Sequence, residues 1–181
     1  MILTKPLKLP LGRGRLELLL GLLGRGRDGQ AEPGLHFHMG GGGLYGTAGD
    51  YLTFALMIMQ GGSFKGAQVL RPETVALMAQ NHIGALEVGA FKTAIPSLSN
   101  DLELFPGMSK KWGLSFLINT QQAPTGRSAG SLAWAGLANT YFWIDRTKRV
   151  AGVFLSQVLP FYDHTAIDLF GKFETEVYRA T

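Results

Sequence analysis

The stretch Gly130-Ser-Leu-Ala-Trp-Ala-Gly-Leu-Ala-Asn-Thr-Tyr-Phe-Trp-Ile-Asp-Arg-Thr-Lys-Arg-Val-Ala-Gly-Val-Phe-Leu-Ser-Gln157 decides the fold. Aromatic and β-branched residues recur here with a period of two, which predicts strands at 130–136, 140–144 and 150–157. Asp145 to Arg149 then suits the turn of an antiparallel hairpin. Val150 to Leu155 is almost continuously apolar, as expected of a strand covered on both faces. The same period begins earlier, at 112–119. Downstream, a helix is expected from Asp163 to Tyr178. Ala166, Phe170, Phe173 and Val177 form its stripe, and Asp168 is placed to pair with Lys172.

Working upstream, residues 83–111 have no sustained period and carry Pro96 and Pro106, so they read as a long loop of the kind that often walls a site. Arg71-Pro72-Glu73 opens a short helix reaching about Gln80, with Pro in its first turn. Thr47 and Asp50 form an N-cap and N3 pair for a helix from Ala48 to Gln60, apolar nearly all round and stopped by Gly61-Gly62. Helices, then an antiparallel sheet, then a helix laid across it make the α+β class.

The chain has 181 residues, no Cys, 25 Gly and a formal net charge of +4. Without Cys there is no thiolate zinc site, redox pair or cysteine nucleophile. The charge is uneven. Residues 1–35 hold Lys5, Lys8, Arg13, Arg15, Arg25 and Arg27 against Glu17, Asp28 and Glu32, while the rest is near neutral. Four arginines without interleaved aromatic residues make a weak footprint for nucleic acid, which is not expected as a partner. Residues 1–35 read instead as a basic Gly/Leu-rich arm or a short helix at Arg15 to Leu23, preceding a domain at 36–181. The apolar run Leu16 to Leu23 is too short to cross a bilayer and is followed by no signal-peptide cleavage pattern, so a soluble chain is expected, with the cytoplasm favoured.

Five stretches carry a resemblance: Gly40-Gly-Gly-Gly-Leu-Tyr-Gly-Thr-Ala-Gly-Asp-Tyr-Leu52, Leu70-Arg-Pro-Glu-Thr-Val75, Lys111-Trp-Gly-Leu-Ser-Phe116, Gly126-Arg-Ser-Ala-Gly-Ser-Leu-Ala-Trp-Ala-Gly136 and Thr140-Tyr-Phe-Trp-Ile-Asp145. In this order they resemble the C-terminal half of β-lactamase-fold serine hydrolases, especially carboxylesterases related to class C β-lactamases and penicillin-binding proteins. The resemblance covers roughly 28–181 and leaves out 1–27. It implies a partial transpeptidase-like fold and acyl transfer on a small ester or β-lactam-like substrate, with no cofactor. It also implies that Trp134-Ala135-Gly136 lines the acyl site and that the Leu137 N–H is one oxyanion-hole donor.

The family's nucleophile is the Ser of a Ser-x-x-Lys motif, assisted by a Tyr-x-Asn motif. No Lys of this chain has a Ser three positions earlier, and no Tyr or Ser is followed two positions later by Asn. The expectation is therefore a truncated form with little or no activity alone. A sheet taken from a larger fold would expose an edge or an apolar face, so a homo-oligomer is also expected, acting as a non-catalytic module.

Gly126-Arg-Ser128-Ala-Gly130 offers another nucleophile, because it matches the Gly-x-Ser-x-Gly elbow of α/β-hydrolases. That mechanism needs Ser128 on a strand-to-helix turn, His164 as base and Asp145 or Asp163 as the orienting acid. The residues that follow read as a strand, which favours an ordinary turn leading into Trp134. His36 and His38 could share one side of a strand, but no third metal ligand is near in sequence. His82 falls at a helix end, where a cation favours the carbonyls. Trp112 and Trp143 read as core aromatics.

Overall fold

The computed structural model describes residues 46–181. The expectations placed on 1–45, namely the basic arm, the Arg15 to Leu23 helix, His36, His38 and the Gly40 to Gly43 run, lie outside the described residues.

Helix α1 spans Ala48–Met59. Thr47 caps it as the sequence predicts. Its hydroxyl accepts from the Asp50 N–H at 3.1 Å, and Asp50 accepts from the Thr47 N–H and hydroxyl, both at 2.8 Å. These bonds hold the Asp50 carboxyl below its ordinary value. The helix stops where Gly61 and Gly62 turn to φ 73° and 97°. A Cβ on Gly62 would lie 2.1 Å from the Leu70 carbonyl oxygen, so only glycine fits this turn.

The next residues, a polar link in the sequence reading, form a two-residue hairpin of β1 (Ser63–Phe64) and β2 (Ala67–Gln68). Lys65 and Gly66 both have positive φ, as the tight turn requires. Helix α2 is Pro72–Met78, with Pro in its first turn.

A five-stranded antiparallel sheet follows in the order β3 (Lys110–Trp112), β4 (Leu117–Asn119), β5 (Leu132–Gly136), β6 (Thr140–Asp145), β7 (Val150–Phe154). The single strand expected at 112–119 is instead a hairpin. Gly113 sits against the end of α2, where a Cβ would lie 2.3 Å from the Met78 carbonyl oxygen, and the Leu114 N–H donates to that same oxygen at 3.0 Å. The chain therefore turns at 113–116, with Ser115 at φ 75°, rather than running straight. A close tertiary approach overrides the local alternation.

The sheet is covered on both faces. Ala55 and Ile58 of α1 and Val75 of α2 bury against Ile118, Leu132, Phe142 and Ile144 on one face. Helix α3 (His164–Arg179) covers the other, setting Phe170 against Ala133, Tyr141 and Trp143. Asp163 caps α3 by accepting from the Ala166 N–H at 2.9 Å, and Asp168 pairs with Lys172 at 2.7 Å. The buried stripe of α3 departs from expectation. Phe173 is 40% exposed, and Glu174 is fully buried in its place. Gly152 makes room for Trp143, because a Cβ there would lie 2.0 Å from the indole.

Candidate active-site wall

Strand β5 changes character along its length. Its first residues pair on both sides, Leu132 with Ile118 and Ile144, Ala133 with Leu117 and Trp143. From Trp134 onward only β6 remains as a partner among the described residues, because the turn at 113–116 carries the neighbouring chain off towards α2. The Trp134–Gly136 edge is thus left free on that side. Trp112 packs edge-to-face on Trp134 with ring centroids 4.5 Å apart.

A hollow of about 490 Å³ opens at this end of the sheet, lined by Tyr51, Trp134, Gly136, Leu137, Thr140 and Leu155 among others. A Cβ on Gly136 would meet the Thr140 hydroxyl at 2.4 Å, so a side chain there would force Thr140 to turn away. Beyond it, Leu137-Ala138-Asn139 make a three-residue hairpin loop with Asn139 at φ 59°, the left-handed position this loop type uses.

Asn139 is fully buried and its side chain uses all its bonding capacity. Its amide donates to the Val158 and Pro160 carbonyls at 2.9 and 2.8 Å, and its oxygen accepts from the Tyr141 hydroxyl and the Asp163 N–H at 2.8 and 3.0 Å. Ala138 accepts from the Ser156 hydroxyl at 2.7 Å. The loop is therefore clamped, while the Leu137 N–H finds no backbone acceptor among the described residues. Burial raises the Tyr51 phenol above its ordinary value, so it stays a neutral group on the hollow's wall. The long segment 83–109 bears on this end as well: the Phe161 N–H donates to the Leu98 carbonyl and the Asn100 N–H to the Phe161 carbonyl, at 2.8 and 2.9 Å.

The other candidate lies at the opposite end of β5. Ser128 sits in a turn between β4 and β5, not between a strand and a helix. Its N–H donates to Asp145 at 2.8 Å. Asp145, fully buried, also accepts from the Thr147 and Lys148 N–H groups at 3.0 and 2.9 Å and from the Tyr178 hydroxyl at 3.0 Å. Burial alone would raise the Asp145 carboxyl, but the Lys148 and Ser128 N–H bonds, with the Ser128 and Tyr178 hydroxyls, hold it below its ordinary value. Burial, with the Asp145 charge behind it, pushes the Tyr178 phenol up.

Beside this cluster, Arg127 forms a two-pronged pair with Glu174 at 2.5 and 2.9 Å, and both side chains are almost wholly buried. The guanidinium also faces the rings of Phe105 and Trp143 at 5.3 and 5.9 Å.

His164 is not part of this arrangement. It is exposed at the first residue of α3, whereas Tyr178, which touches Asp145, lies fourteen residues on. At 1.5 Å per residue the two ends are about 21 Å apart along the helix. The Ser128–Asp145–His164 grouping suggested by the motif is therefore not assembled, and Asp163 is engaged as the cap of α3.

His82 does what its position suggests, its Nε2 meeting the Leu77 carbonyl in the last turn of α2 at 2.8 Å. Trp143 is core, fully buried under α3. Tyr51, Thr140 and Asn139 are the wall residues the sequence reading missed. Tyr51 lies within an apolar helix pattern with only its hydroxyl to mark it, and an Asn in a hairpin loop is already explained by its φ.

The five-stranded antiparallel meander with helices on both faces is the α+β arrangement of a partial β-lactamase/penicillin-binding-protein fold. The beta-lactamase family profile matches residues 8–172, and the chain belongs to that family. The match begins well ahead of residue 28, where the motif resemblance begins, so the resemblance does extend into the N-terminal segment.

Two Mycobacterium tuberculosis proteins, Protein Rv1367c and Uncharacterized protein MT1414, are each 28% identical over 127 residues, covering 66% of this chain and 29% of theirs. Simvastatin synthase (LovD) from Aspergillus terreus, unliganded, superposes with TM-score 0.60 at 22% identity, covering 74% of this chain and 33% of that one. Its LovD6 mutant gives 0.57 at 19% identity, covering 75% and 34%. These structures share the fold, and the chain spans about a third of their length. No helix among the described residues is long and apolar enough to cross a membrane.

Proposed function

We propose that this chain forms one wall of an acyl-transfer site and lacks the nucleophile that would make it a hydrolase alone. The observation that carries the reading is the Leu137 N–H, without an acceptor among the described residues, beside the Trp134–Gly136 edge on a loop clamped by Asn139 at the mouth of an apolar hollow. A fixed N–H donor next to an apolar cleft is the arrangement that binds an acyl group and stabilises charge developing on its oxygen. Trp134, Leu137 and Leu155 favour an alkyl or aryl acyl chain of a small ester over a strongly charged substrate.

The catalytic step needs a serine activated by a neighbouring base. The sequence carries neither Ser-x-x-Lys nor Tyr-x-Asn, and Ser128 has no histidine beside it. Purified protein is expected to hydrolyse p-nitrophenyl butyrate at the background rate and to take up no stoichiometric fluorophosphonate label by mass spectrometry. Turnover with stoichiometric labelling, abolished in Ser128→Ala, would overturn the reading in favour of the elbow serine.

A further inference from the structure

The two edges of the sheet are finished differently. At β3 the outward carbonyls are taken: Lys110 accepts from the Val88 N–H at 2.9 Å and Trp112 from the His82 N–H at 2.8 Å. At β7 none of the outward backbone groups of Val150–Phe154 is bonded by the described residues. Nor does β7 carry the usual protection of an edge strand. It has no Pro, no charge and no bulge, and its register with β6 is unbroken over five pairs. Alongside, α3 presents Leu169 and Phe173, 51% and 40% exposed, with Phe173 resting against Phe154. A pairing edge and an apolar ledge therefore lie side by side.

We propose that this edge joins a second copy of the chain, the two β7 strands pairing antiparallel about Gly152 into one continuous sheet. The strand is self-complementary about that point. Val150 falls opposite the partner's Phe154 and Ala151 opposite the partner's Val153, so no charges are opposed and the contact closes with two-fold symmetry.

The flanking charges agree with this direction. The turn before β7 exposes Arg146 and Arg149, neither of which has a carboxylate partner among the described residues. α3 runs opposite to β7, its C-terminal Tyr178 beside Lys148 and its earlier Phe170 beside Phe154. Antiparallel pairing thus sets the basic turn of one copy beside the α3 N-terminal end of the other, which carries the capping Asp163 and Asp168, the latter paired with Lys172. The two ledges of Leu169 and Phe173 meet next to the shared strands.

The test uses the full chain, with light scattering from low to high micromolar concentration and amide exchange at 150–154 over the same range. The expected result is a dimer whose β7 amides slow as concentration rises. In Leu169→Glu, a change at an exposed position that sets like charges across the two-fold, dissociation is expected to rise about tenfold or more. A monomer with protected β7 amides would mean that residues 1–45 cover the edge and would overturn the proposal. A monomer with fast β7 exchange overturns it too, as does a dimer whose β7 exchange is independent of concentration or whose affinity is untouched by Leu169→Glu.

Discussion

The two ends of β5 differ in how their polar groups are spent. Gly126-Arg-Ser-Ala-Gly130, at the start, has the spacing of a nucleophile elbow, yet the charged groups beside it and the Ser128 main-chain N–H are bound. The Ser128 N–H and Tyr178 hydroxyl are on Asp145, and Arg127 is on Glu174. Trp134-Ala-Gly-Leu137, at the finish, is marked only by the family resemblance, and the Leu137 N–H beside the hollow has no acceptor among the described residues. A site needs unspent bonding capacity facing open space, whereas a network that satisfies itself is architecture. Residue types that suggest chemistry are found in both settings, so the partners decide.

The largest effect that would break this contrast lies in the Arg127–Glu174 pair. Glu174→Ala leaves a guanidinium buried without its carboxylate and is expected to lower stability by about 3–5 kcal/mol in urea unfolding. Replacing both partners, Arg127→Met with Glu174→Leu, is expected to recover most of that, because the desolvation of two charges is relieved together. A small loss in Glu174→Ala would show that the elbow end is not held by this pair.

Next comes Asp145. Its folded carboxyl lies below the ordinary 3.8, so the stability it contributes is fully present above that value and is lost as pH falls through the lower folded value. Asp145→Asn keeps the shape but loses an acceptor, and is expected to cost about 1–3 kcal/mol at neutral pH. It should also flatten the acid limb of the stability–pH curve, read by thermal melts from pH 7 downward. An acid limb unchanged by the substitution would mean that other carboxylates carry it.

At the open end the effects on stability are smaller and the effect on binding larger. Trp134→Ala removes a half-buried ring and its edge-to-face contact with Trp112, for an expected loss of about 1–2 kcal/mol. It should also abolish the shifts that ethyl butyrate induces at the Leu137 amide in NMR titration. Retention of those shifts would separate the hollow from the acyl wall.

How far the sequence reached follows the same division. The strands β5 to β7, the capping of α1 and the Asp168–Lys172 pair rest on local rules of period, cap and spacing, and those are written in neighbouring residues. The turn at 113–116 was not legible, because it depends on Gly113 meeting the Met78 carbonyl from another element. The burial of Glu174 depends likewise on Arg127, 47 positions away. On a helix face the sequence shows a glutamate interrupting an apolar stripe, and nothing local says that a guanidinium waits beneath it. The wall at Trp134–Leu137 came from a motif resemblance, while Tyr51 and Asn139, which complete and clamp it, had no pattern of their own.

Ser128→Ala is the smallest expected effect and the one that sharpens the comparison most. The bond that fixes the turn comes from the Ser128 main chain, and alanine keeps that N–H on Asp145. What is lost is the hydroxyl's share in lowering the Asp145 carboxyl, so stability should fall by no more than about 1 kcal/mol. A cost matching that of Asp145→Asn would place the anchor in the hydroxyl instead. The residue that most resembles a nucleophile is thus expected to be dispensable for both fold and chemistry, because its side chain faces a carboxylate already holding four other donors. A serine so placed has no base to take its proton, since an acidic carboxyl already satisfied by hydrogen bonds is a poor proton acceptor.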